Sequence, residues 1–273
     1  MPLVLGLSKP VIGMAHVPAL PGRRGYDRAG GMANLYASVA RDLEALQSGG
    51  VDAVLFANEG DVPYRAHVRA PEVAAMAAVI SRLAPQLSVP FGIDLMWDPV
   101  ASLAVAAATG GAFVRGVLMG EYESDMGTLA PDAADLFDVR HNLGADAIAL
   151  FHNVTPEFAA PLSRRSVGER ASSAAYLGVD ALLISGPAAG RAIRREDLSE
   201  VREAVPDLPV LINTGVTDRT VGDYLKVADG VIVGTHLKQG ANTWNPVDSE
   251  RVRRFMAVVR AGTAGEDASG VLP

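Results

Sequence analysis

Two short segments in the last third of the chain carry the clearest chemistry. Residues 209–217 (Pro-Val-Leu-Ile-Asn-Thr-Gly-Val-Thr) and 229–235 (Asp-Gly-Val-Ile-Val-Gly-Thr) are buried-strand patterns that run into glycine beside a hydroxyl residue. One helix-length segment separates them. Glycine lets backbone N–H groups approach an anion closely, and in a barrel of eight βα units the loops after the last two strands form a phosphate site in this way. Asn213, Gly215, Gly234 and Thr235 are therefore candidate phosphate contacts. The same glycines also suit tight βα turns that hold no ligand.

Ionisable side chains recur at the ends of other apolar runs. Glu59 and Asp94 come from neighbouring strands. Their carboxylates either crowd, which raises one pKa and makes an acid–base pair, or cap loops and pair with Arg65 or Arg115. His16 precedes a proline-rich turn at 17–22 that would fix its imidazole. It can shuttle protons near neutral pH or be a buried histidine bonded to backbone. His152 is a further catalytic candidate, but a one-residue change of strand phase moves it between the lumen and the helix layer. Arg115 inside a barrel needs an anionic partner, either Asp94 or a substrate carboxylate or phosphate. Trp97 and Tyr64 can stack on a flat ligand or simply pack loops.

His16, Glu59, Asp94 and His152 form a mixed donor set of the kind that suits zinc, manganese or iron. No two of them have the local spacing of a metal motif, so no metal ligand is assigned. The sequence requires no cofactor and leaves a divalent metal open.

The elements that must position these residues alternate along the chain. Strand-like runs at 11–17, 51–57, 91–95, 112–115, 147–152 and 181–185 precede the two opening segments. Helical patterns lie at 34–47, 71–83, 99–109, 131–142, 167–177, 197–204, 218–227 and 248–259. Strict alternation implies parallel strands, and continuously apolar strands imply that both faces are covered. A Gly-(Val/Ala)-Asp-Ala signature recurs at 50–53, 144–147 and 178–181, ending a helix and opening a strand. The expected fold is a single α/β domain, a (β/α)8 barrel with parallel strands over residues 1–262, followed by a flexible tail at 263–273. An open doubly wound sheet is the alternative, but its G-x-G-x-x-G turn is absent. Residues 120–132, with Glu121, Glu123 and Asp125 toward solvent, are the longest candidate lid.

The bulk numbers narrow the function classes. The chain has 273 residues and a net charge of −7, and no basic patch, so nucleic acid is not an expected partner. It contains no cysteine, which excludes disulfides and thiolate chemistry and fits a cytoplasmic setting. The most apolar helix candidate spans 99–109, far short of the roughly 20 residues of a membrane span. No signal peptide is visible. A homo-oligomer stays open.

Residues 11–22 (Val-Ile-Gly-Met-Ala-His-Val-Pro-Ala-Leu-Pro-Gly) resemble the opening motif of the BtpA family. So do 50–53 with 58–63 (Asn-Glu-Gly-Asp-Val-Pro), 159–162, 214–217, 228–235, Lys238 and 245–248. The resemblance runs from about Pro10 to Phe255. It implies a phosphate-binding TIM-like barrel, and it adds Asp61 and Lys238 to His16, Glu59, Gly215, Gly234 and Thr235 as candidate positions. The family is named for photosystem I biogenesis and has many members in non-photosynthetic organisms. This chain departs from the family pattern at Glu157-Phe158, where many relatives carry Lys-His, at Asp94, where asparagine is commoner, and at 96–99. The expected function is that of a soluble barrel enzyme binding a small phosphorylated metabolite, a phosphosugar or nucleotide-like molecule. Its acid–base chemistry would be that of a lyase, isomerase or hydrolase. A non-enzymatic biogenesis or assembly factor and a metal-dependent hydrolase are the alternatives.

Overall fold

A computed structural model of the chain describes residues 2–268. The first half runs β1 (Val11–His16), α1 (Gly31–Gly49), β2 (Ala53–Ala57), α2 (Ala70–Leu83), β3 (Phe91–Asp94), α3 (Pro99–Thr109) and β4 (Phe113–Gly116). A hairpin of β5 (Tyr122–Ser124) and β6 (Gly127–Leu129) follows, then α4 (Ala133–Asn142), β7 (Ala149–Asn153), β8 (Ala159–Pro161) and α5 (Val167–Leu177). The chain continues through β9 (Ala181–Ile184), α6 (Arg195–Ala204), β10 (Val210–Ile212), α7 (Val221–Leu225), β11 (Gly230–Val233) and α8 (Ser249–Ala268). Residues 269–273 of the expected tail lie outside the described residues.

Eight parallel strands close in the order β1-β11-β10-β9-β7-β4-β3-β2, and helices cover the outside, as alternation predicts. Helix boundaries follow local chemistry. Asp98 caps α3 by accepting the Ala101 N–H at 3.0 Å, and Ser166 and Glu169 form a reciprocal capping box on α5. Gly50, Gly110 and Gly178 end α1, α3 and α5 in the left-handed conformation.

Strand residues alternate between two cores. Ile12, Met14, Leu55, Phe113, Phe151, Leu183, Leu211 and Ile232 fill the lumen. Their neighbours Phe56, Ile93, Val114, Leu150, Leu182 and Ile212 pack outward against the helices. Phe113 stacks on Phe151 with ring centroids 4.8 Å apart, in space that Gly92 leaves open: a Cβ there would collide with the Phe113 ring. Val4 joins the lumen core from below, on a short turn bridged to Leu7.

The recurring aspartate signature has a mechanical basis. Asp52 Oδ2 accepts the Val11 N–H at 2.8 Å and Asp180 Oδ2 the Leu150 N–H at 2.7 Å. Asp229 Oδ2 holds the Val210 N–H in the same way at 2.9 Å. Each aspartate also returns a backbone N–H to the carbonyl of the strand residue it grips, so it pins the bottom of one strand to the next. The copy at 144–147 does not do this. Asp146 is exposed, a turn bonds Ile148 N–H to Ala145 C=O, and β7 starts at Ala149, two residues later than the pattern predicts.

The segment at 120–132 is not a structureless lid. β5 pairs with β6 and, antiparallel, with β8 to form a three-stranded sheet above the barrel. Tyr122, Leu129 and Val117 make its own small core. Glu121, Glu123 and Asp125 are exposed, as expected.

Candidate active site

Two loops are clasped together on one side of the barrel mouth. The Gly60 N–H donates to Val17 C=O at 3.0 Å, and a Cβ on Gly60 would collide with Pro18 and Ala19. Asp61 is buried, accepts the Leu20 N–H at 2.8 Å and takes a hydrogen bond from Asn58 Nδ2 at 2.9 Å. Asn58 Oδ1 in turn accepts the Met96 N–H at 2.8 Å. This network ties the loops after β1, β2 and β3 into one unit. It brings His16 Nε2 to 3.9 Å from Glu59 Oε2.

The inward phase of the strands carries a polar layer above the apolar lumen: His16, Asp94, Arg115, Asn153, Ser185 and Asn213, with Glu59 just beyond β2. Arg115 is buried, with Nη1 3.4 Å from Asp94 Oδ2 and Nη2 3.3 Å from Glu157 Oε2. Burial, then the Glu157 and Asp94 charges, push Glu59 up to about 7 against the pull of Arg115. Burial likewise raises Asp94 to about 6 despite Arg115. Burial, then the Lys238 and Arg115 charges, bring His16 down to about 3, so its imidazole is neutral across the physiological range. The Tyr64 hydroxyl donates to Glu59 C=O at 3.1 Å and, desolvated beside that carboxyl, stays protonated.

The opposite wall is made of backbone. Gly215 has φ +68° and lies under the loop after β9, where a Cβ would sit 2.5 Å from Arg191 O. Among the described residues the N–H groups of Gly215, Val216, Thr235 and His236 donate to no protein acceptor. Gly234 has a packing role as well: a Cβ there would press on the His16 ring and Met14 Cγ at 3.2 Å. Thr214 Oγ1 accepts the Gly186 N–H. Thr235 Oγ1 is 2.6 Å from Thr243 Oγ1. Asn213 Nδ2 donates to Ser185 Oγ at 2.7 Å, and Asn153 completes the chain with its amide oxygen turned to accept from Ser185 Oγ at 2.9 Å.

Between the walls lies a cavity of about 220 Å³, lined by His16, Glu59, Arg115, Glu157, Asn213, Gly215, Gly234 and Thr235 and flanked by Tyr64, Trp97 and Phe158. Most of the candidates from sequence therefore converge, and four do not. Asp94 sits behind Arg115, facing a side cavity of about 20 Å³ shared with Trp97 and Glu157. His152 has the outward phase of β7: it is buried, and its Nδ1 accepts the Leu118 N–H at 3.1 Å. Burial, then the Arg170 charge, lower its pKa to about 3. Lys238 is buried and binds Asp42 Oδ2 through Nζ at 2.8 Å, while Asp42 Oδ1 accepts the Val247 N–H at 2.9 Å. It anchors the last loop to α1 and does not line the cavity. Asp61 is spent on the loop clasp. Because His152 faces the helices, the four-residue donor set does not assemble, and no group of three His, Cys, Asp or Glu side chains placed to hold a metal occurs among the described residues.

Sequence reasoning missed Glu157 as a site residue. It stands out only as a departure from a motif, and nothing local shows that it reaches Arg115. The Asn153–Ser185–Asn213 relay was legible in principle, since all three share the inward phase. Among the described residues no helix is long and apolar enough to cross a membrane.

Comparison with known proteins agrees with the motif resemblance. The chain is 40% identical to SgcQ, an Escherichia coli protein of the sgc region, across 94% of this chain and 96% of that one. It is 32% identical to the photosystem I biogenesis protein BtpA of Synechocystis, across 93% and 88%. Among solved structures, dihydropteroate synthase from Vibrio fischeri aligns with TM-score 0.58 at 13% identity over 97% of this chain and 95% of that one. Phosphoribosyl anthranilate isomerase from Thermococcus kodakaraensis aligns with TM-score 0.53 at 16% identity over 92% and 99%. At such identity the likeness is one of fold, the (β/α)8 TIM barrel. The profile of the BtpA family matches residues 7–261, and the chain belongs to that family.

Proposed function

We propose that the mouth binds a small phosphorylated metabolite, a phosphosugar or nucleotide-like molecule, and that Glu59 exchanges a proton with it. One observation carries the reading. Unused backbone N–H groups at 215–216 and 235–236 and a carboxyl group raised to about 7 line opposite sides of one cavity. Backbone N–H groups at the last two βα loops suit a phosphate, and a group titrating near neutrality suits general acid and base work. Neutral His16 offers a hydrogen bond to an oxygen that gains charge during reaction. Gly234 gives that imidazole its room. Asp94 and Glu157 hold Arg115 in place. Acid–base groups of this kind suit lyase, isomerase or hydrolase chemistry. The name of one fold neighbour, phosphoribosyl anthranilate isomerase, is in keeping with a phosphorylated substrate. The cysteine-free composition fits a cytoplasmic setting.

Isothermal titration with inorganic phosphate, phosphosugars and nucleotides tests the reading. Binding of at least one, weakened by Gly234→Asp, supports it. No binding at all, or affinity unchanged in that variant, sinks it.

A second reading, a non-enzymatic assembly factor, draws on the similarity to the photosystem I biogenesis protein. It predicts that Glu59→Gln and Asp94→Asn leave biological function intact, whereas the enzyme reading predicts its loss.

A further inference from the structure

The guanidinium of Arg115 enters the cavity already occupied. Nη1 meets Asp94 from the barrel wall at 3.4 Å, and Nη2 meets Glu157 from the loop after β7 at 3.3 Å. Glu59 and Glu157 both line the cavity, and their side chains are only 16% and 12% exposed. One cation thus faces three carboxyl groups, and this end of the cavity has no positive charge to spare. A carboxylate arriving here would have to displace Glu157 and then lie beside the groups that repel it. A hydroxyl or amino group would instead donate to the same carboxylate oxygens.

We infer that Glu157, by holding Arg115 Nη2, makes the mouth select phosphorylated ligands whose end remote from the phosphate carries hydroxyl or amino groups, and reject those with a carboxylate there. The inference rests on the phosphate-binding reading above.

Glycerol 3-phosphate and 3-phosphoglycerate differ only in that group, and inorganic phosphate reports the backbone wall alone. The wild-type protein is expected to bind glycerol 3-phosphate about tenfold or more tightly than 3-phosphoglycerate. Glu157→Gln frees Arg115 and is expected to raise the affinity for 3-phosphoglycerate relative to glycerol 3-phosphate by about tenfold. Equal wild-type affinities, a preference for the acid, or an unaltered ratio in Glu157→Gln would overturn the inference. So would binding of inorganic phosphate with neither three-carbon probe bound. If phosphate itself does not bind, the underlying reading fails and this one falls with it. Should Glu157→Gln not fold, as judged by its melting transition, the wild-type ratio decides.

Discussion

The two walls of the mouth are built from different materials. The wall from β10 and β11 is backbone, shaped by Gly215 and Gly234 and presenting N–H groups. The wall from β1 to β4, with the loop after β7, is side chain: His16, Glu59, Arg115 and Glu157, each held by another charged or polar group. A backbone wall binds through fixed dipoles and is insensitive to pH. A side-chain wall built of coupled buried charges changes state near neutrality. Under the proposed function, the backbone wall anchors the ligand and the side-chain wall transfers the proton.

Substitutions separate the walls by size of effect. Lys238→Ala should be the most damaging, because it leaves Asp42 buried without its cation. A loss of about 3–5 kcal/mol in chemical denaturation is expected, with inorganic phosphate still bound by the protein that remains folded. Loss of phosphate binding at unchanged stability would return Lys238 to the anchoring wall.

Gly215→Ala comes next. It adds a side chain at φ +68° and 2.5 Å from Arg191 O. Left-handed strain and overpacking together should cost about 2–4 kcal/mol, and phosphate affinity should fall with it. Wild-type stability and affinity in this variant would show that the turn is not the rigid anchor described.

The proton-transfer wall makes a prediction of opposite sign. Glu59 has a folded value of about 7 against 4.5 in the unfolded chain. Between those values the folded state keeps a proton that the unfolded chain has lost, so the stability this group contributes is present below pH 4.5 and lost as pH rises through 7. Glu59→Gln should therefore stabilise the fold at pH 8 by on the order of 1–3 kcal/mol and change it little at pH 4. Urea melts at the two pH values check this, and destabilisation at pH 8 would show Glu59 to be a structural ion-pair partner.

Gly234→Ala should be the mildest to the fold, about 1 kcal/mol or less, because the new methyl meets movable His16 and Met14 side chains. Its effect belongs to the site: displacement of the imidazole toward Glu59, read as shifted His16 ring resonances. Unmoved ring signals would separate Gly234 from the proton-transfer wall.

The same contrast explains what could be read from the sequence. The barrel order and the backbone wall were legible because glycine punctuation and apolar runs are local signals. Glu59 and His16 were legible as strand-end residues. The side-chain partnerships were not. Lys238 and Asp42 are 196 positions apart, and the Arg115–Glu157 contact spans 42. For His152 the sequence leaves lumen and helix layer open, because a single step of strand phase in a period of two inverts a side chain's direction; the structure settles it outward. The three-residue strands of the β5–β6–β8 sheet are too short to show a period, and the pairing of β5 with β8, Tyr122 opposite Pro161, is non-local.

A phosphate on the backbone wall would separate an anchoring role for Gly215 and Gly234 from a purely packing one. Titration of inorganic phosphate into isotopically labelled protein, followed by amide resonances, addresses this directly. The amides of Gly215, Val216, Thr235 and His236 should shift together along one saturable curve, with smaller changes at Glu59. Saturable shifts confined to other parts of the surface, or no saturable shift at all, would contradict it.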